Sequence, residues 1–197
     1  MEIKGKRITI TPIELKDAYS MKKWGRHKNP LLFDYNLPSL TDEEIKEWYR
    51  FKTRGNNKKY YSVFNEQNRF IGYMGIKNIR KILSQATFGI VFDPNYVNQG
   101  YGTEAIIAYL YYFFNEMKMR TLYLEVAKFN KRAIQCYEKS GFKVVDVYLE
   151  EFFDQKIDLE NPYFLEEKSS FVIEDGKVYN YIYKMKIDKK TFLKETK

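Results

Sequence analysis

The chain has 197 residues, 44% hydrophobic and 30% charged, which supports one globular domain with a sizeable core and excludes a disordered chain. No apolar run reaches membrane-spanning length, Met1 to Ile10 lacks the apolar segment of a secretory signal, and one cysteine (Cys136) stands beside one histidine (His27), so the expectation is a metal-free protein of the reducing cytoplasm, without disulfide or membrane span. Lysine and arginine total 34 against 26 aspartate and glutamate, a net charge of +8 that suits a polyanionic partner, either nucleic acid or a phosphate-rich ligand.

Arg7 to Ile10 alternates and reads as a first strand, ended by Pro12. Glu14 to Gly25 has a loosely helical pattern with acids near its start, and His27 to Leu40 reads as loop. Thr41-Asp42-Glu43-Glu44 is a capping box that opens a second helix ending near Phe51, followed by a polar turn at Arg54 to Lys58. Tyr60 to Phe64 and Phe70 to Ile76 read as paired strands around Asn65 to Asn68, and Arg80 to Gln85 leads into a third strand, Ala86 to Phe92. Asp93-Pro94-Asn95 stops that strand, and Glu104 to Lys118 is an apolar helix free of Gly and Pro. Thr121 to Ala127 is a strand, Asn130 opens a helix, and Lys143 to Tyr148 and Val178 to Ile187 are strands, the second preceded by a turn at Glu174-Asp175-Gly176. The tail from Asp188 to Lys197 is polar and expected to fray. This order mixes an antiparallel meander with a helical crossover, an α+β fold around one mixed sheet in a single domain over residues 1–197.

Between the central strand and the long helix stands Gln99-Gly100-Tyr101-Gly102-Thr103. A glycine turn at a helix N-terminus gathers unpaired backbone N–H groups, and the helix dipole adds about half a positive charge, so anions are favoured there. The phosphate-binding loop with a terminal Gly-Lys-Ser/Thr is excluded because that lysine is missing, and the dinucleotide fingerprint because its third glycine is absent. The plainer reading is a tight strand–helix connection that needs glycine for geometry.

A second motif follows, Asn130-Lys-Arg-Ala133-Ile-Gln-Cys-Tyr137-Glu138-Lys139-Ser-Gly141-Phe142. Together the two motifs resemble the signatures of the GNAT superfamily of acyl-CoA-dependent N-acetyltransferases: a glycine turn of the form [RQ]-x-x-G-x-[GA] after a strand, then N-x-x-A-x-x-x-Y-E-K-x-G-F. The resemblance covers Ala86 to Phe142 closely and the element order over nearly the full length. Val97 departs from it, standing where Arg or Gln is usual. The start Thr11 to Ala18, the Trp48-Tyr49-Arg50-Phe51 run and Gly100 to Ala105 look most like the RimJ/RimL type, which acetylates protein N-termini, notably ribosomal ones.

The resemblance implies a mostly antiparallel sheet flanked by helices, with acetyl-CoA as co-substrate and direct attack of a primary amine in a ternary complex. It places the cofactor pyrophosphate on the backbone of Gln99, Gly100, Tyr101, Gly102 and Thr103, and the thioester carbonyl on a backbone N–H near Val91 or Phe92. Asn130 would meet the pantetheine arm, though as a residue before a helix it is also an N-cap. Lys131 and Arg132 would meet the 3′-phosphate or face water. Tyr137 lies two helical turns beyond Asn130 on the same side, and a phenol of pKa about 10 is a suitable acid for a departing thiolate, against the alternative of a core tyrosine. Glu125, in the strand Thr121 to Ala127, matches a glutamate proposed as base in ribosomal alanine acetyltransferases; it either serves so through water or faces solvent by strand alternation. His27 reads as a surface residue, Cys136 as packing that points away from Tyr137, Asp93 as a turn residue, and Tyr96 and Tyr101 as edging the glycine turn.

The acceptor stays open between a protein N-terminus and a small cationic amine. Asp146 to Glu167 is dominated by carboxylates, with Lys156 its one base, which either recruits a cationic amine or is a solvated loop. The alternative to an enzyme is a catalytically silent module that holds acyl-CoA, to which Val97 gives room. Nucleic acid is not expected as a partner, because no motif accompanies the diffuse charge. The resemblance also leaves room for a homodimer.

Overall fold

The computed structural model describes residues 1–195. Its strands are β1 (Ile3–Lys4), β2 (Ile8–Pro12), β3 (Lys59–Asn65), β4 (Phe70–Arg80), β5 (Gln85–Phe92), β6 (Thr121–Ala127), β7 (Lys143–Glu151), β8 (Phe171–Glu174) and β9 (Lys177–Asp188). They form one sheet in the order β1-β2-β3-β4-β5-β6-β9-β7, with β8 also on β9. Every pairing is antiparallel except β5 with β6. That parallel pair is short: Gln85 meets Thr121, Ala86 meets Leu122, Thr87 meets Tyr123, and the ladder then stops. Beyond Thr87, β5 stays paired with β4 as far as Phe92, and β6 stays paired with β9 as far as Ala127. The two halves of the sheet therefore open into a V.

The helices are α1 (Leu15–Ser20), α2 (Asp42–Thr53), α3 (Tyr101–Tyr111), α4 (Lys131–Lys139), α5 (Pro162–Glu166) and α6 (Lys189–Glu195). On one face of the sheet, α3 and the π-helical turn Tyr112–Glu116 bury Tyr109, Phe113 and Phe114 against Phe88, Leu122, Leu124 and Phe142. On the other, α1 and α2 cover the meander through Ala18, Met21, Ile45, Trp24 and Trp48, packed on Phe70 and Tyr73. A third cluster, Phe129, Phe152, Phe164 and Phe171, closes the end of the sheet where β8 joins β9. The capping box of α2 forms as its residue types dictate, with Thr41 accepting from the Glu44 N–H and the Glu44 carboxylate accepting from the Thr41 N–H.

The fold matches the α+β expectation, with corrections at the edges. The loop His27 to Leu40 contains a 3₁₀ helix, Pro30–Tyr35, because Asn29 caps it and Pro30 presets its first φ. The acidic stretch is largely solvated, as one of the two readings has it, but it is not all loop. Its first part is β7, which runs past Tyr148 to Glu151, and its later acids serve local structure, Asp154 and Asp158 accepting backbone N–H groups two residues on. α5 and β8 have no counterpart in the sequence reading, since each is too short for its period to register. The tail does not fray from Asp188: residues 189–195 form α6, whose Phe192 is buried against Phe114 and Tyr111. The last two residues of that expectation, 196–197, lie outside the described residues. No helix among the described residues is long and apolar enough to cross a membrane.

Phe113 is fully buried and Ile82 is 99% exposed. Phe113→Ala is expected to cost about 3–5 kcal/mol of stability, and Ile82→Ala no more than about 0.5 kcal/mol, both read from urea unfolding midpoints.

Candidate active site

Where β5 and β6 part, the sheet holds a cleft of about 580 Å³. The glycine turn forms one end of it. Gly100 has a left-handed φ of 83° and precedes the first turn of α3, whose N–H groups at Tyr101, Gly102 and Thr103 have no side-chain cap. All four residues line the cleft. Gln99 does not; its side-chain amide donates back to the Asn95 carbonyl at 3.1 Å. Its own carbonyl accepts from the Arg7 guanidinium at 3.1 Å, and Arg7 also pairs with Glu104 at 3.0 Å and lies 4.6 Å over the Tyr101 ring. Arg7 therefore clamps the turn and brings a cation to it, without itself lining the cleft that Val97 lines. Asp93 is a buried turn residue, as expected, accepting from the N–H groups of Gly25 and Asn95.

The start of α4 forms the adjoining wall. The Asn130 carbonyl oxygen accepts from the Ala133 N–H at 3.2 Å, so it is the N-cap, yet it also lines the cleft and hydrogen-bonds the Tyr35 phenol. Arg132 lines the cleft, half-buried, with its pKa lowered by burial. Lys131 is turned away and pairs with Glu167. Tyr137 reaches the cleft from beneath, and burial, then Tyr35 and Cys136, pushes its pKa well above 10, so its O–H stays protonated through neutral and alkaline pH. Cys136 does not point away from the site: its sulfur touches Thr103 at 3.3 Å and also lines the cleft. A Cβ on Gly102 would stand 3.2 Å from that sulfur, so glycine is what lets α3 and α4 close together there.

Across the gap, Glu125 is exposed on β6 and faces the cleft. Lys184 stands opposite it on β9 and lies over the Tyr123 ring. The Tyr148 hydroxyl meets the Glu125 carboxylate; burial first, and then that carboxylate with Glu150 and Asp146, pushes Tyr148 up to about 12. Val91 and Phe92 line the cleft from β5.

Several lining residues have no counterpart in the sequence reading. Lys52, Tyr60, Tyr73 and Lys77 come from α2, β3 and β4. Their side chains carry no motif, and only the packing of α2 over the meander brings them to the gap. Tyr35 belongs to the unanticipated 3₁₀ helix. His27 is half-buried and lines the cleft rather than the surface, with its pKa lowered by burial and then by Arg132. Among the described residues, no group of three or more His, Cys, Asp or Glu side chains could hold a metal ion.

Known proteins share this arrangement. The acetyltransferase (GNAT) domain family matches residues 7–143. Spermidine N(1)-acetyltransferase of Vibrio cholerae is 26% identical over 164 residues, covering 82% of this chain and 95% of that protein. The uncharacterized N-acetyltransferase YnaD of Bacillus subtilis is 26% identical over 147 residues, covering 73% of this chain and 83% of that one. A crystal structure of spermidine N-acetyltransferase from Vibrio cholerae in complex with CoA and spermine has the same fold, with a TM-score of 0.72 at 23% identity over 95% of this chain and 98% of that one.

His27 supplies a pH signature. Its folded pKa lies below the ordinary 6.5, so as pH falls through 6.5 the unfolded chain takes up the proton first and stability declines. Thermal midpoints measured from pH 7.5 to 5 should fall with pH, and His27→Gln should flatten that slope.

Proposed function

The chain belongs to the acetyltransferase (GNAT) family and is an acetyl-CoA-dependent N-acetyltransferase; from that premise we propose that Glu125 and Tyr137 carry a direct transfer of acetyl to a small primary amine in a ternary complex. The observation that carries this reading is the parting of β5 and β6, which brings the glycine turn, Asn130, Tyr137 and Glu125 to a single gap.

In this reading the pyrophosphate lies on the uncapped N–H groups of Gly100 to Thr103, where oriented donors and the dipole of α3 favour negative charge. Gln99 acts indirectly, through the Arg7 clamp on its carbonyl. Arg132 meets a cofactor phosphate, and Asn130 meets the pantetheine arm. A backbone N–H of Val91 or Phe92 polarises the thioester carbonyl. Such fixed dipoles need no reorganisation as charge develops on the oxygen.

The acceptor amine must lose a proton before it attacks. Glu125, exposed on β6, takes it through water. The nitrogen lone pair forms the N–C bond, the C–S bond breaks with its electron pair left on sulfur, and the acylated nitrogen gives up its second proton through water, which restores the proton that Tyr137 supplies to the sulfur. Tyr137, kept protonated by burial, donates its O–H to that sulfur.

Two kinds of acceptor were expected, a protein N-terminus of the RimJ/RimL type and a small amine. The names of the relatives, spermidine N-acetyltransferases, support the small amine. So does the local field: Glu150 and Asp146 act on Tyr148 beside Glu125 and would draw an ammonium to that wall.

The test is thermal unfolding with acetyl-CoA, followed by thiol release over a panel of amines. Acetyl-CoA should raise the midpoint, as any ligand of the folded state must. Tyr137→Phe and Glu125→Gln should each lower kcat by about a hundredfold while that thermal shift persists. A thermal shift with no thiol release from any amine would instead support the silent acyl-CoA-binding module.

A further inference from the structure

The amine side of the cleft is bipolar. One wall carries Glu125, which acts on Tyr148 as do Glu150 and Asp146 of β7, with Lys184 of β9 opposite both Glu125 and Asp146. The opposite wall carries Lys52 from the last turn of α2 and Lys77 from β4. Gly75 of β4 pairs with Gly89 of β5 in the cleft lining; a Cβ added to Gly89 would meet nothing within 4 Å, whereas one added to Gly75 would strike the Tyr60 ring, so the backbone is open at Gly89 and covered by Tyr60 at Gly75.

Lys52 is held rather than free. Its ammonium lies 4.8 Å from the Tyr60 ring centre, 5.4 Å from Trp48 and 5.9 Å from Tyr73. Such contacts fix a cation in place and leave its charge uncancelled. Lys58 stands close by, 4.1 Å over the Phe51 ring. Burial, then the neighbouring charges of Lys77 and Lys58, lowers the pKa of Lys52. Among the described residues none of the three forms a salt bridge, whereas Lys22, Lys46, Lys131 and Lys177 all do. A half-desolvated Lys52 that faces the cleft beside Lys77, with no carboxylate partner, is relieved by an anion. A second ammonium placed there would add to the repulsion.

We propose that the acceptor is a small primary amine that also carries a carboxylate or phosphate, with the anion held by Lys52 and Lys77 and the amine turned to Glu125. This rests on the transferase reading and names the substrate class of the same site. It sets this chain apart from its spermidine-acetylating relatives, whose substrate is a polycation.

The test uses the full chain with acetyl-CoA and matched probes: ethanolamine against O-phosphoethanolamine, propylamine against β-alanine, and spermidine. The anion-bearing member of each pair should have the higher kcat/KM. Lys52→Met and, independently, Lys77→Met on the exposed face of β4 should each lower the anionic-to-neutral ratio by about tenfold, through KM, the cost of losing one charge-assisted hydrogen bond. Lys52→Arg should retain the ratio, and Lys52→Glu should favour spermidine. Spermidine turned over better than the anionic amines, or ratios unmoved in both methionine variants, overturns the proposal and leaves the transferase reading standing. Acetyl-CoA binding without thiol release from any probe overturns both.

Discussion

A parallel ladder that stops after three residue pairs governs the chemistry of this molecule. From Thr87 onward β5 and β6 part, and each keeps its outer neighbour only. Backbone polar groups lining such a gap still need partners. A cofactor arm with its own amides can supply them, which is how the proposed pantetheine site uses the break in the sheet. The opening also places two helix N-termini at one end of the gap, because α3 follows β5 and α4 follows β6. The close contact of Gly102 with Cys136 keeps those two ends together. The anion end of the cleft and the reacting centre are thus consequences of one irregularity in strand pairing.

Aromatic side chains do two jobs around that gap. On the α3 face they fill volume: Tyr109, Phe113 and Phe114 form the densest part of the core. On the α2 face they aim charge. Trp48, Tyr60 and Tyr73 pack with α2 on the meander, and the same rings surround the Lys52 ammonium. The packing that stabilises the helix therefore also orients the cation. Tyr137 and Tyr35 show a related economy, since burial stabilises their neutral form and leaves an O–H able to donate.

The net charge of +8 is not spread as its diffuse sequence pattern suggests. Arg132, Lys52 and Lys77 all face the cleft together with Glu125, while Asp146 and Glu150 stand on exposed β7 and act with Glu125 on Tyr148. A sequence-level reading of the acidic stretch treats its members as one feature. The structure divides them: some sit near Tyr148, Glu151 pairs with Lys177, Glu167 pairs with Lys131, and Asp154 and Asp158 only shape turns.

The local signals were legible because they depend on neighbours in sequence. β-branched and aromatic runs between turn residues marked β3 to β6, Thr41 and Glu44 marked the start of α2, and the two glycines with Asn130 and Tyr137 marked the family. Lys52, Lys77, His27, Tyr35, Tyr148 and Arg7 were not legible as site residues. Each sits in an ordinary-looking stretch and meets the cleft only through contacts across the sheet or over it. Arg7 reaches Gln99 from 92 residues away in sequence. The uncapped glycine turn at the start of α3 is backbone geometry that a short motif encodes, so the sequence by itself determined it. The wall proposed for the amine draws its charged side chains from α2, β4 and β6, and no local pattern records which of those chains face one another. Only the tertiary structure decided its charge.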